Sequence, residues 1–335
     1  MSKKLSRERY HGLVGTSKSM LTVYQIIDEV AASKASLLIT GETGTGKELC
    51  AEAIHKESKL AAQPFIVFDC ATISKELMEC QLFGHVKGAF TSAIKEQLGV
   101  ALQADGGTLF MDEIGEIPLD LQSTLLRFMQ TKTFRKVGGD KLERVNVRFI
   151  AATNRDLLTE VKAKRFREDL YYRLNVIEIK LPTLRERGPD ILLLAKFFLH
   201  EFAKEEQKDF QGFNLEAEKK LLSYEWPGNV RQLQNTIYNS VVLNRSTVIT
   251  ADMITIRNGG DIENNSTSSL GATDSTITPK GVITINKFGS FKEIEKEAIL
   301  KTIEYCNGNV VQAAKILGIG KTTLYRKQQQ WESIK

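Results

Sequence analysis

Short apolar runs alternate with longer helical patterns between about residues 20 and 182. Each run is rich in β-branched or aromatic residues, as buried strands usually are. The runs are "ASLLIT" (35–40), "PFIVFD" (64–69), "GTLFMD" (107–112), "VRFIAAT" (147–153) and "NVIEIKLP" (175–182). Strands that alternate with helices in this way predict an α/β fold with a parallel sheet.

The patterns that follow the last of these runs indicate further domains. From Thr183 onward they are helical only, as in "DILLLAKFFLHEFAKEE". The segment 257–285 is largely small and polar and cannot form a core, so it is predicted to be a flexible linker. Beyond it, an S-x-x-E capping box at Ser290 opens the first of three predicted helices. We therefore expect an α/β domain over 11–182, a helical domain over 183–256, the linker, and a small all-α domain over 286–335.

Composition excludes several classes of protein. The four cysteines are scattered without a C-x-x-C pair, so neither a zinc site nor a disulfide framework is predicted, which suits a reducing cytosol. The basic N-terminus lacks the apolar stretch of a signal peptide. Lys196 interrupts the richest apolar run, so no membrane span is expected. The sequence predicts a cytoplasmic protein with no membrane partner.

The charge is unevenly distributed along the chain. The formal net charge is +5, and residues 286–335 carry nine basic and five acidic residues. A basic end on a nearly neutral body is typical of a nucleic-acid contact. An ordinary solvated surface fits the charge equally well, so charge does not decide between them.

A glycine-rich loop follows the first predicted strand and precedes a helical pattern. It reads G-x-x-x-x-G-K, the phosphate-binding P-loop, whose backbone N–H groups cradle phosphate while the lysine reaches the β- and γ-phosphates. A chance lysine in a glycine-rich turn is disfavoured by the strand–loop–helix setting. The next residue is Glu48, where a P-loop usually has the Ser or Thr that binds Mg²⁺. The residues expected at the nucleotide are Gly41, Glu42, Thr43, Gly44, Thr45, Gly46, Lys47 and Glu48.

Polar residues end two later strands of the same predicted sheet. Asp112 and Glu113 close "GGTLFMDE", and Asn154 closes "FIAATN". Adjacent carboxylates at a strand end are often simply surface residues, but a P-loop upstream favours chemistry. We expect Asp112 to hold Mg²⁺, Glu113 to orient or deprotonate the attacking water, and Asn154 to bridge water and γ-phosphate.

Together these motifs resemble the AAA+ activators of sigma-54 RNA polymerase, the bacterial enhancer-binding proteins. The resemblance covers residues 11 to 331 and rests on "GETGTGKE", "QLFGHVKGAFTSA", "GGTLFMDEIGE", "FREDLYYRLNV", "LPTLRERGPDI" and "WPGNVRQLQN" in order. It implies an ATPase that uses ATP and Mg²⁺, and Glu48 is usual in the family. Many members begin with a receiver domain that this chain lacks, so we expect either control by a partner protein or a fragment of a longer chain.

The resemblance also assigns roles around the nucleotide. Arg167 and Arg173 match arginine fingers that reach the γ-phosphate of a neighbouring subunit, which implies self-assembly from dimers to a hexameric ring. Local sequence alone favours surface salt bridges for these arginines. Arg231 matches the sensor arginine of the helical lid. Asp69 occupies the place of a polar switch residue that restrains the catalytic glutamate, although many members have Asn there.

The segment 88–93, "GAFTSA", resembles the loop with which the family contacts the polymerase. In the family, the GAFTGA loop rises from the ring and its Phe-Thr tip contacts sigma-54, so Phe90 is expected to face a partner rather than lie under the loop. Ser92 replaces the second glycine, and its β-carbon restricts positive φ. We expect the contact to survive with altered strength. The residues concerned are Gly88, Ala89, Phe90, Thr91, Ser92 and Ala93.

The C-terminal pattern resembles the Fis-type helix-turn-helix that ends these activators. Gly318 would allow the turn between its two helices. Dimers of such readers bind half-sites about 34 Å apart on double-stranded DNA, here an upstream enhancer site. Lys321, Thr322, Thr323, Tyr325, Arg326 and Lys327 would face the major groove and its phosphates.

Two functions fit these observations. The first is an ATP-hydrolysing transcriptional activator that binds upstream DNA, forms a ring and remodels sigma-54 RNA polymerase holoenzyme to open promoters. The second is a DNA-binding regulator that uses ATP to oligomerise without remodelling sigma-54. The intact ATPase motifs favour the first, and the loop at 88–93 discriminates between them. A general AAA+ unfoldase is disfavoured by the helix-turn-helix.

Overall fold

The computed structural model describes residues 9–90 and 93–256, together with the single positions Ile299, Thr302, Val310 and Leu324. The chain divides into two compact units, Met1–Asn264 and Asn265–Lys335. The predicted linker at 257–285 and, apart from those single positions, the predicted domain at 286–335 lie outside the described residues. The first unit contains the sheet and the helical lid.

A parallel sheet of five strands forms the centre of this unit. In chain order the strands are β1 (Leu37–Thr40), β2 (Phe65–Asp69), β3 (Thr108–Asp112), β4 (Arg148–Thr153) and β5 (Ile177–Lys180). They lie in the order β5-β1-β4-β3-β2, and every neighbouring pair is parallel. Each strand lies within one of the predicted runs, so the predicted α/β class with a parallel sheet is confirmed.

Successive residues of each strand point to opposite faces of the sheet and enter two different cores. In β3, Leu109 and Met111 belong to one core and Phe110 to the other. In β1, Leu38 and Ile39 divide in the same way. Because helices cover both faces, the strand sequences are continuously apolar rather than alternating.

Helices before, between and after the strands cover the sheet. They are α1 (Lys18–Ala31), α2 (Lys47–Lys56), α3 (Lys75–Phe83), α4 (Val100–Gln103), α5 (Leu119–Thr131), α6 (Leu157–Lys162) and α7 (Glu168–Leu174), with a 3₁₀ turn at Ile114–Glu116. α1 shows why such a helix begins where it does. The Ser17 hydroxyl accepts a hydrogen bond from the Met20 N–H (3.4 Å), which satisfies one of the unpaired donors at the helix start.

The helical lid follows a second 3₁₀ turn at Leu184–Arg187. Its helices are α8 (Asp190–Glu205), α9 (Leu215–Ser223) and α10 (Asn229–Leu243). They pack around Trp226, which is fully buried and donates its indole N–H to the Leu221 carbonyl (2.9 Å). The lid therefore has a core of its own beside the sheet domain.

Short strand pairs complete the described part of the chain. They are Arg9–Tyr10 with Leu13–Val14, Gly84–His85 with Gln97–Leu98, Thr133–Arg135 with Leu142–Arg144, and Gly212–Phe213 with Val248–Ile249. The last pair lies where the sequence predicted helices only, so that prediction was wrong in this detail. Strands of two residues form through tertiary pairing and leave no periodic signal. No helix among the described residues is long and apolar enough to cross a membrane.

Candidate active site

The carboxyl ends of β1, β4 and β3 lie side by side, and the predicted nucleotide residues follow them. Thr40 pairs with Thr153 in the sheet, and the Gly41 N–H donates to the Thr153 carbonyl (3.3 Å). Asp112 ends β3, the other neighbour of β4. Open parallel sheets bind ligands at this edge. The fold therefore brings the P-loop and the acidic pair to one place.

The P-loop turns sharply from β1 into α2. Gly44 and Gly46 have φ of +81° and +100°, a region that favours glycine. α2 begins at Lys47 after Gly46, which offers no side-chain cap. Its first N–H groups are therefore directed into the loop, as an anion-binding helix start requires. The Thr45 hydroxyl is tied to the Glu42 carbonyl (2.8 Å), and Glu48 is exposed.

Lys47 is buried at the centre of the site. Its ammonium lies 3.2 Å from the Glu113 carboxylate and 3.2 Å from the Gly41 carbonyl. The other carboxylate oxygen of Glu113 accepts the Asn154 backbone N–H (3.1 Å). The Asn154 side-chain amide donates to the Thr43 hydroxyl (3.0 Å). The structure thus brings together Lys47, Glu113 and Asn154, which stand far apart in the sequence.

Asp112 is half-buried beside this group. Its carboxylate accepts the Glu113 N–H (3.0 Å), and Glu113 adopts a left-handed φ of +49°. Burial raises the pKa of Asp112 above its usual value, and the neighbouring Glu113 adds to the effect. A cation would relieve that unfavourable burial of negative charge. Mg²⁺ is commonly held by one or two carboxylates together with substrate phosphates, so this single carboxylate fits it.

Asp69 ends β2 directly opposite Asp112 in the sheet register. Its carboxylate accepts the backbone N–H groups of Ala71 (2.8 Å) and Thr72 (3.3 Å). Within the described residues, Glu113 makes its contacts with Lys47 and Asn154 instead. The expected restraint of Glu113 by Asp69 stays a prediction.

The two candidate finger arginines lie at opposite ends of α7. Arg167 makes two hydrogen bonds to Asp169 (2.7 and 3.0 Å) and one to Ser123 (2.9 Å), which is the surface pairing that local sequence favours. Arg173 donates to the Met129 carbonyl (3.3 Å). Both side chains are exposed. Exposure leaves them free to meet a second subunit.

The lid contacts the P-loop through the first turn of α10. The backbone N–H groups of Val230 and Arg231 donate to the Gly44 carbonyl (3.0 and 3.3 Å). A cleft of about 510 Å³ at this junction is lined by Thr43, Gly228 and Arg231 among others. Arg231 therefore lies beside the P-loop, and its role as the sensor arginine stays a prediction.

Asn229 belongs to the same junction, and the sequence reasoning missed it. Its side chain is fully buried and donates to the Glu42 carboxylate (3.1 Å) and the Thr43 carbonyl (3.0 Å). The signal was present in the motif "WPGNVRQ", because Asn229 is a polar residue two positions before Arg231, the predicted sensor arginine.

The loop that begins at Gly88 is closed at its base. The Gly88 N–H donates to the Ala93 carbonyl (2.9 Å), and the Ala93 N–H donates to the Phe90 carbonyl (2.9 Å). Phe90 is half-buried, with its ring 4.9 Å from that of His85. Thr91 and Ser92 lie outside the described residues. The contact of this loop with sigma-54 stays a prediction. In this structure the Phe90 ring packs partly against its own domain, on His85.

The predicted DNA-binding residues also lie outside the described residues. They are Lys321, Thr322, Thr323, Tyr325, Arg326 and Lys327. Leu324, which lies among them in the sequence, is fully buried.

Comparison with protein families matches the chain in three consecutive parts. Residues 13–180 match the family described as the Sigma-54 interaction domain. Residues 185–268 match the AAA+ ATPase lid domain. Residues 290–331 match the bacterial regulatory protein, Fis family.

Similar proteins extend over almost the whole chain. The chain is 51% identical over 324 residues to the regulatory protein LuxO of Vibrio parahaemolyticus, which covers 97% of this chain and 70% of that protein. It is 43% identical over 316 residues to the transcriptional regulatory protein ZraR of Escherichia coli, with 94% and 68% covered. Among solved structures, NtrX from Brucella abortus in complex with ATP is similar with a TM-score of 0.69 and 31% identity over 97% of this chain and 70% of that chain. The same protein in complex with ADP gives a TM-score of 0.68 and 31% identity over 95% and 68%.

Proposed function

The chain belongs to the sigma-54-dependent transcriptional activators with an AAA+ ATPase domain, and on that premise we propose that it hydrolyses ATP to remodel sigma-54 RNA polymerase holoenzyme. The observation that carries the proposal is the convergence of Lys47, Glu113 and Asn154 beside the P-loop. A regulator that merely bound nucleotide would have no need of a carboxylate held at the phosphate-binding lysine.

The P-loop binds the triphosphate. N–H groups at the start of α2 face the phosphates, and the helix dipole favours their negative charge. Lys47 contacts the β- and γ-phosphates through its buried ammonium. The similar NtrX structures, one in complex with ATP and one with ADP, support the assignment of ATP as the nucleotide.

Asp112 would hold Mg²⁺ together with the phosphates. When bound, the ion neutralises charge that develops on the phosphate oxygens. The Asp112 carboxylate is half-buried, so its ionised form is poorly solvated and would be favoured by a bound cation.

Glu113 prepares the attacking water. A triphosphate competes with Glu113 for the Lys47 ammonium, so a carboxylate oxygen is released to accept a proton from water. The Asn154 N–H holds the other oxygen and keeps the carboxylate aimed at the site. Asn154 also places its side-chain amide beside Thr43 of the P-loop, where a γ-phosphate and its water would lie.

Completion of the site requires a second subunit. Arg167 and Arg173 make no hydrogen bond to the P-loop within the described residues, and both are exposed. They would reach the γ-phosphate of a neighbour, so hydrolysis is coupled to assembly of dimers into a ring, a hexamer by family resemblance. The C-terminal helix-turn-helix binds double-stranded DNA upstream of the promoter and concentrates the subunits there.

The loop at 88–93 contacts sigma-54, so that ATP hydrolysis in the ring changes the conformation of the holoenzyme.

A second function, a DNA-binding regulator that uses ATP to oligomerise without remodelling, is favoured by one observation: Phe90 packs on His85 and is half-buried. For the first function, nucleotide binding in the subunit assembly must move the Phe90 side chain off His85. That contact is worth about 0.5–1.5 kcal/mol, which is small beside the free energy of ATP binding.

Hydrolysis in trans gives a direct test. ATP turnover per subunit should rise steeply with protein concentration and should require added Mg²⁺. Mixing the Arg173→Ala and Lys47→Ala variants should restore part of the activity, because one supplies the nucleotide pocket and the other the finger. Turnover that is independent of concentration, with no complementation in the mixture, would contradict a shared site.

A further inference from the structure

Lid helix α10 begins without a cap of its own. Gly228 stands at the N-cap position and has no side chain to accept a hydrogen bond from the first turn. The Gly44 carbonyl of the P-loop takes that place, since the N–H groups of Val230 and Arg231 both donate to it. The P-loop therefore caps the lid helix from another domain.

Gly44 must be glycine for this contact as well as for the loop. A β-carbon at Gly44 would lie 2.4 Å from the Gly228 carbonyl oxygen and 3.0 Å from the Arg231 β-carbon. The two backbones are so close that neither can move toward the other, and the hydrogen bonds to the Gly44 carbonyl oppose their separation. The P-loop and the first turn of α10 are thus in direct backbone contact.

Asn229 fixes this junction through both ends of its amide. Its NH₂ group donates to the Glu42 carboxylate and the Thr43 carbonyl, and its oxygen accepts the Leu184 N–H (2.8 Å). Asn229 is fully buried and has a left-handed φ of +50°, which asparagine tolerates better than most residues. The side chain of an ionised aspartate has no hydrogen-bond donor, and glycine has no side chain at all, so neither residue can replace this amide.

Glu42 connects the same junction to the 3₁₀ turn at Leu184–Arg187, which begins the lid. Its carboxylate pairs with Arg185 (2.6 Å), and hydrogen bonds from Arg185 and Asn229 hold the pKa of Glu42 below its usual value. The carboxylate is therefore ionised at neutral pH. It joins the P-loop to the Leu184–Arg187 turn on one side and to α10 on the other.

We propose that Asn229 is a positioning residue for ATP hydrolysis, which locks the first turn of α10 to the P-loop and so places Arg231 at the phosphates. The inference rests on the proposed ATPase function. A movement of Glu42 or Thr43 in the P-loop is passed to Asn229 through its hydrogen bonds. Only two peptide bonds separate Asn229 from Arg231, so Arg231 moves with it. The lid thereby responds to the loop itself and not to the nucleotide alone.

The test compares two substitutions with a matched control. Asn229→Asp keeps the shape of the side chain and the acceptor for the Leu184 N–H, but it places a second carboxylate against that of Glu42. Asn229→Gly tolerates the left-handed backbone and removes the side-chain amide. Gln234→Glu makes the same amide-to-carboxylate change at an exposed position of the same helix. Turnover is expressed per bound fluorescent ATP analogue, so that each variant is scored on its folded, nucleotide-binding fraction.

We expect both Asn229 variants to lower turnover by about tenfold or more while ATP affinity changes less than about threefold, and Gln234→Glu to match the wild type. In an Arg231→Ala background, Asn229→Asp should lower turnover by less than about twofold, because its effect passes through Arg231. Wild-type turnover in both Asn229 variants, or full additivity with Arg231→Ala, would overturn the inference. Absence of hydrolysis by the wild type would instead overturn the proposed function.

Discussion

Replacing Asp190 with alanine is expected to reduce the free energy of unfolding of the sheet-and-lid unit by about 3–5 kcal/mol. Asp190 is fully buried at the start of α8, and its carboxylate lies 3.2 Å from the buried Arg187 guanidinium. It also accepts the backbone N–H groups of Thr16 (2.7 Å) and Ser17 (3.0 Å). The carboxylate therefore ties the lid to the segment that leads into α1.

The expected magnitude follows from what the substitution leaves behind. Alanine at position 190 removes the counter-charge of Arg187, which is only 3% exposed and cannot regain water without opening the structure. Breaking one partner of such a buried pair is far more costly than removing both. Asp190→Asn also removes the counter-charge but keeps an acceptor for the two N–H groups, so a loss at the lower end of that range, about 3 kcal/mol, is expected.

Denaturant unfolding followed by tryptophan fluorescence measures this effect. The chain has two tryptophans, so a Trp331→Phe background leaves Trp226, which is fully buried in the lid, as the reporter. Glu218→Ala is the matched control, since it breaks the more exposed pair of Glu218 with Lys196 (2.8 Å) and should cost less than about 1 kcal/mol. If Asp190→Ala costs no more than Glu218→Ala, the pair does not join the lid to the sheet domain as described.

Three substitutions test the nucleotide chemistry. Lys47→Ala should weaken ATP binding, measured by calorimetry, by at least about tenfold, or 1.4 kcal/mol, and retained tight binding would remove Lys47 from the phosphates. Glu113→Gln should bind ATP but hydrolyse it about 10²–10⁴ times more slowly, and near-normal phosphate release would exclude it as the base. Arg173→Ala should bind ATP normally while losing about 10³-fold or more of turnover in the assembled ring, and unchanged turnover there would count against a finger.

The sheet and the meeting of the candidate nucleotide residues at one edge of it could be predicted because their signals are local. Continuous apolar runs mark strands buried on both faces, and the P-loop lies within one strand–loop–helix unit. Once the strands are parallel, residues that end or follow them, such as Asp112 and Asn154, must meet at one edge of the sheet. No comparable rule indicates the two-residue strands, which depend on partners brought together by the rest of the fold.

The hydrogen-bond partners of Asn229 at the lid junction could not be predicted for the same physical reason. Asn229 and Glu42 stand 187 positions apart, and their hydrogen bond depends on how the lid packs against the P-loop. The buried pair of Arg187 and Asp190 is near in sequence, yet its contact with Thr16 spans 174 positions. Motifs indicate which residues carry chemistry, whereas the residues that hold the domains together emerge from packing.

Promoter opening by sigma-54 RNA polymerase holoenzyme tests the central claim most directly. Open complexes would be counted on a sigma-54 promoter template, at activator concentrations high enough to replace tethering to upstream DNA. Lys47→Ala is the negative control, and Ser92→Gly restores the family's loop sequence. The wild type is predicted to give ATP-dependent open complexes, Lys47→Ala none, and Ser92→Gly an altered yield. Steady ATP hydrolysis by the wild type without open complexes, in a reaction where a known activator does open the promoter, would contradict the remodelling function.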